Sequence, residues 1–171
     1  MIDNEDDFND ILEFYTTGET SRWHNKPLIP PQSVKHHTAG MLMLLIKLHP
    51  NPSANLMRAI VEHDLPETDG FFFDAPYDVK QEFPVLREME AIAEEKFREY
   101  FGLPKVFLTD VEHLWLKYID GLESICYIAT SVSSENPVAV KIYNRQYELT
   151  LEIEKKLKAL GFLNEPETTV H

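Results

Sequence analysis

Four residues of this 171-residue chain have the types expected of a metal-ligand set: His37, the adjacent pair His63-Asp64, and Asp120. Two imidazoles and two carboxylates suit Zn²⁺, Mn²⁺, Fe²⁺ or Co²⁺. Each residue also has an ordinary reading. A single inward histidine is more often a hydrogen-bonded core residue. Asp64 could be a helix-end acid, and Asp120 could pair with Lys117 or Arg145. The order H…HD…D, with each part on a different helix, is much harder to obtain by chance.

The elements that must position these residues follow from helical periodicity. In SVKHHTAGMLMLLIKL, Ser33 is an N-cap and the helix runs to Leu48, with Met41, Leu44, Leu45 and Leu48 on one side. His37 lies at i−4 from Met41 and shares that face, whereas His36 points outward. Asn51-Pro52 reads as an N-cap and N1 pair opening a helix to about Asp64, in which Leu56, Ile60, His63 and Asp64 fall near one stripe. Thr109 and Glu112 form a candidate capping box for a helix to about Ser131, on which Leu116, Asp120, Glu123 and Tyr127 align. An aspartate between Ile119 and Leu122 is costly unless paired or metal-bound.

Three further helices complete the expected fold. Asp6 to Thr17 carries the stripe Phe8, Ile11, Leu12 and Tyr15, closed by Gly18. Pro84 starts a helix with Leu86, Met89, Ala93, Phe97 and Tyr100, stopped by Gly102. Asn136-Pro137 opens the last, with Ile142, Leu149, Ile153, Leu157 and Leu160 facing inward and Gly161 at its end. Residues 19–32 look like an irregular arm, and residues 65–82 form a loop too long to be a mere connector. No strand alternation is convincing. The expectation is an all-α helical bundle of about six or more helices, one domain over 1–171 with its core at about 20–160 and a frayed tail at 162–171.

Sixteen basic and 29 acidic residues give a formal charge of −13. That balance argues against a nucleic-acid-coating surface, because phosphate backbones require basic stripes. It leaves room for a small anion held by local cations or a metal. No apolar run approaches eighteen residues, so no membrane span is expected, and the acidic start MIDNEDDFND lacks a secretory h-region. Cys126, the single cysteine, stands among Ile125, Tyr127 and Ile128 and reads as a buried thiol in a reducing, cytoplasmic setting.

The order His37, His63-Asp64, Asp120 resembles the HD-domain metal-dependent phosphohydrolases. RWH at 22–24, QSVKHHT at 32–38, HDLPE at 63–67, DAPYDVK at 74–80 and KYIDGLES at 117–124 extend the resemblance over about residues 20–130. It is closest to the branch of bacterial 5′-deoxynucleotidases and phage dATP triphosphohydrolases. His36 stands where the nucleotidase pattern usually has Glu, and the Glu67–Asp74 loop is about two residues longer. The short chain and compact Asp64–Asp120 gap favour the phage type.

The resemblance implies an HD-domain bundle with a divalent metal (Zn, Co or Mn) on His37, His63, Asp64 and Asp120, and an additional Mg carried by a triphosphate. Such a metal acidifies water and withdraws charge from a phosphoryl oxygen. Glu67 is the expected proton-handling residue, and Asp74 a second catalytic candidate; Asp69 is expected in solvent. Arg22 and Lys80 are expected to face phosphate, with Lys117 as a further cation. Trp23 offers a face for a base, and Pro76 a contact to a purine. The expected partner is a small-molecule deoxynucleotide rather than a nucleic-acid polymer or a membrane, and the resemblance implies a homo-oligomer. The favoured reaction is dATP to deoxyadenosine plus triphosphate. A 5′-deoxynucleotidase acting on dNMPs, a ppGpp hydrolase and a non-catalytic helical scaffold are the alternatives.

Overall fold

The computed structural model describes residues 5–23, 26, 29–68, 79 and 82–163, and these fold mainly as helices. Six α-helices are present among them: α1 Glu5–Thr17, α2 Val34–Leu48, α3 Ala54–Glu62, α4 Val85–Tyr100, α5 Asp110–Ser131 and α6 Pro137–Ala159. A 3₁₀ turn, Leu65–Glu67, follows α3. The all-α expectation therefore holds at the level of secondary structure.

Local chemistry accounts for the helix ends. Ser33 Oγ accepts from the His36 amide at 3.2 Å, and Ser53 Oγ from the Leu56 amide at 3.0 Å. Thr109 and Glu112 form the expected reciprocal box, and Asn136 Oδ1 accepts from the amides of Val138 and Ala139 ahead of Pro137. Gly102 (φ 61°) and Gly161 (φ 77°) end α4 and α6 in the left-handed conformation. There Leu103 N–H reaches Arg98 O and Phe162 N–H reaches Leu157 O, closing the carbonyls of each last turn.

Helices α5 and α6 pack along each other, and α2 and α3 lie against α5. The central core is Met41 and Leu45 of α2, Leu56 and Ile60 of α3, Trp115, Tyr118 and Ile119 of α5, and Leu157 of α6. A second cluster joins Ile29 to Tyr127, Ile128 and Ala139, with Trp23 against it. A third, Val34, Leu65 and Phe97, receives Phe14 from α1.

Several expectations need correction. The arm is not wholly irregular: Ser21–Arg22 (β1) and Gln32–Ser33 (β2) pair antiparallel, Ser21 opposite Ser33 and Arg22 opposite Gln32. Ser53, not Asn51, caps α3, because its hydroxyl is the one in reach of a first-turn amide. That helix ends at Glu62, so Glu67 belongs to the separate 3₁₀ turn. The α1 stripe Phe8, Ile11, Leu12 and Tyr15 faces outward; Phe14 and Thr17 turn inward instead. Met89 and Tyr100 of α4, and Leu149 and Leu160 of α6, are also exposed, since each helix packs along a narrower seam than its apolar stripe. Cys126 is exposed on the outer side of α5 rather than buried. Leu163, placed in the tail by sequence, packs on the core. Among the described residues no helix is long and apolar enough to cross a membrane.

Candidate metal centre

Helices α2, α3 and α5 bring their polar residues together at one end of the central core. His37 is fully buried one turn before Met41. His63 follows the last residue of α3, and its Nδ1 hydrogen-bonds the Ile60 carbonyl at 2.8 Å, which leaves Nε2 as the free ring nitrogen. Asp64 begins the 3₁₀ turn. Asp120 and Glu123 lie one turn apart on α5.

The candidate ligand atoms face one another. One donor atom each from His37, His63 and Asp64 lies within 4.8 Å of the others. His63 Nε2 is 3.2 Å from Asp64 Oδ1, and His37 Nε2 is 3.6 Å from Asp64 Oδ2. Asp120 Oδ1 is 3.2 Å from His37 Nε2 and stands beside this group. His37 Nε2, His63 Nε2, Asp64 Oδ2 and Asp120 Oδ1 are all buried and have no hydrogen-bond partner among the described residues. Buried polar atoms are rarely left so. Three of them, on His37, His63 and Asp64, lie close enough together to hold a divalent cation, with Asp120 beside His37.

Arg22, delivered by β1, caps this cluster. Its Nε is 3.3 Å from Asp64, its Nη2 3.6 Å from Asp120 and its Nη1 4.0 Å from Glu123. Burial works against its charge, but Asp64, Asp120, Glu123 and Glu67 outweigh that and raise its pKa. Burial likewise pushes both aspartates upward and is overcome. His63 and Arg22 hold Asp64, and His37 and Arg22 hold Asp120, below the ordinary carboxylate range. For His37, burial lowers the pKa, while its contacts with Asp120 and Glu123 prevail and raise it. The centre thus sets ionised Asp64 and Asp120 against the Arg22 guanidinium.

The remaining sequence candidates divide. Glu67 is half-buried at the end of the 3₁₀ turn, near enough to Arg22 to act on it electrostatically. Trp23 is half-buried, with the Arg22 guanidinium 5.9 Å from its ring centre. Lys117 is exposed on α5, and no ion pair joins it to the centre among the described residues; Asp120 pairs with Arg22. Asp69, Asp74, Pro76 and Lys80 lie outside the described residues.

Two residues of the centre are ones that sequence reasoning does not assign to it. Glu123 is buried, with Oε2 2.5 Å from His37 Nδ1 and Oε1 2.7 Å from Gln32 Nε2. Its alignment with Asp120 on the α5 stripe is the signal that could have found it. Gln32 is buried as well, and the sequence offers no signal for it, because its position depends on the β1–β2 pairing. Comparison of the chain with family models, curated proteins and solved structures gave no match.

Proposed function

We propose that this chain is a divalent-metal phosphohydrolase of the HD-domain type that attacks the α-phosphorus of a deoxynucleotide. The favoured substrate is dATP, with water giving deoxyadenosine and triphosphate. The observation that carries the reading is the His37, His63 and Asp64 group, with Asp120 beside His37 and Arg22 against both aspartates. The sequence resemblance supplies the reaction class.

When bound on His37, His63, Asp64 and Asp120, a divalent ion supplies acidified water and charge withdrawal from a phosphoryl oxygen. The chain's own residues do the rest. Arg22 holds a permanent charge at the rim of the centre, and its planar fork matches two phosphate oxygens. Glu67 is the carboxylate assigned to the proton of the attacking water. Trp23 and the exposed Lys117 are assigned to the base side and to the outer phosphates; Asp74, Pro76 and Lys80 keep their proposed roles from sequence. The substrate is a small molecule, and the enzyme is proposed to work in the cytoplasm as a homo-oligomer.

The test is a panel of dNTPs, dNMPs and NTPs, each with Co²⁺, Mn²⁺, Zn²⁺ or Mg²⁺, with products separated by chromatography. Triphosphate from dATP is expected, and hydrolysis by Asp64→Ala should fall to background. Orthophosphate from dAMP with inert dATP would replace the substrate assignment by a 5′-deoxynucleotidase. Absence of bound metal and of turnover on every substrate would leave a helical scaffold and overturn the reading.

A further inference from the structure

We propose that Glu123 and Gln32 are positioning residues for His37, the inner end of a hydrogen-bonded chain that starts at Trp23 and fixes which ring nitrogen is the ligand. The inference rests on the reading of the centre as a metal site and adds two residues to it. In chain order, the Trp23 indole N–H donates to Gln32 Oε1 at 3.3 Å. Gln32 Nε2 donates to Glu123 Oε1 at 2.7 Å, and Glu123 Oε2 meets His37 Nδ1 at 2.5 Å.

The direction of every bond follows from the first. An indole nitrogen can only donate, so the Gln32 oxygen must face it and the Gln32 amide nitrogen must face Glu123. Glu123 Oε1 already accepts from Gln32, so Oε2 is the oxygen left to accept from His37, which places the shared proton on Nδ1. In the neutral ring Nε2 then carries the lone pair, on the side of Asp64 and Asp120. A carboxylate behind a ligating imidazole fixes its tautomer and ring orientation in this way.

The surroundings are built for the chain. Gln32 is 1% exposed, Glu123 5% and His37 0%, so water does not compete for these bonds. Gly40 on α2 leaves the space that Glu123 needs: a Cβ there would stand 2.9 Å from Glu123 Oε1 and 3.0 Å from its Cγ. Trp23 sits at φ 66°, a left-handed backbone uncommon outside glycine and held only where the surroundings enforce it. The Arg22–Gln32 rung of the ribbon serves both purposes, carrying the guanidinium to Asp64 and Asp120 and the amide to Glu123.

An isosteric swap separates this role from plain packing. In Glu123→Gln the new side chain meets one donor at Gln32 and another at His37 with a single acceptor oxygen. It must either set two amide nitrogens against each other or donate to Nδ1 and move the ring proton to Nε2. The double variant Gln32→Glu/Glu123→Gln restores a consistent chain, because the carboxylate introduced at position 32 would accept from both Trp23 and the new amide.

Two readouts decide. The first is the His37 tautomer in the metal-free full chain at alkaline pH, from long-range ¹H–¹⁵N correlations. The second is Co²⁺ affinity by spectroscopic titration. Nδ1–H is expected in the wild type. Glu123→Gln should lose it and bind Co²⁺ about 10–100-fold more weakly, with most of the loss recovered in the double variant. A wild-type His37 protonated on Nε2 would overturn the proposal. So would a single variant that keeps both tautomer and affinity, or a double variant no better than the single one. If the wild type takes up no Co²⁺, the proposed function fails, and the tautomer of the three proteins still decides whether the chain exists. Should Glu123→Gln not fold, the wild-type tautomer alone decides: Nδ1–H supports the chain and Nε2–H overturns it.

Discussion

Helices α2, α3 and α5 build two interiors of opposite character, and the change between them takes about one turn on each helix. At one end stand Met41, Leu45, Leu56, Ile60, Trp115 and Ile119, all essentially without exposure. At the other stand His37, His63, Asp64, Asp120 and Glu123. Apolar contacts are non-directional and favourable in any close packing. Charges taken from water are tolerable only when each finds a partner. The apolar end therefore carries stability, while the polar end carries an unresolved excess of acceptors that Arg22 and the imidazoles partly compensate.

The neighbours Ile119 and Asp120 give the strongest way to break that comparison. Ile119→Ala should lower unfolding stability by about 2–5 kcal/mol in urea titrations, from lost burial and the cavity left behind. Asp120→Asn should cost less metal-free stability than Ile119→Ala, because Arg22 keeps Asp64 and Glu123 as partners, and the loss should shrink in acid, where the ionised Asp120 held by His37 and Arg22 no longer contributes. It should nevertheless abolish tight metal binding. Equal damage from the two substitutions would erase the distinction between the ends.

A smaller effect is expected at the N-terminal end of α5, away from the candidate metal centre. There Glu112 accepts from the Ser53 hydroxyl and from the Thr109 amide, and these bonds, the Ser53 one foremost, hold its carboxyl below the ordinary glutamate value. A depressed folded-state pKa contributes stability that is present above the unfolded-state value and is lost as pH falls through the folded one. Glu112→Ala should cost about 1 kcal/mol at neutral pH and less in acid, read as a shallower acid limb in the stability–pH curve. An unchanged acid limb would count against it. The smallest effect is expected on α1: Leu12→Ser should stay within about 0.5 kcal/mol of the parent, because that side chain is 45% exposed. A loss of several kcal/mol would mean that the outward stripe is covered in solution.

The legible part of this protein was whatever local chemistry fixes. Ser33, the Thr109–Glu112 box, Asn136-Pro137 and the terminal Gly102 and Gly161 marked helix limits because caps act within a turn of their own position. His37 could be put inside and His36 outside because period 3.6 settles faces on a helix packed from one side. The same rule failed on α1, where the richer apolar stripe faces out and Phe14 reaches Phe97 and Phe101. Periodicity identifies a stripe, but a neighbour must exist to cover it.

The sequence by itself determined six helices and pointed to His37, His63 and Asp64 as residues that could share a metal, since residue type and helical phase are local properties. Only the tertiary structure decided that Arg22 would lie against Asp64 and Asp120, that Gln32 would reach Glu123, and that Cys126 would face solvent. Those outcomes depend on which segments pair and which helix faces are covered. Contacts such as Gln32 with Glu123, 91 residues apart, are set by packing and charge compensation that no local pattern encodes.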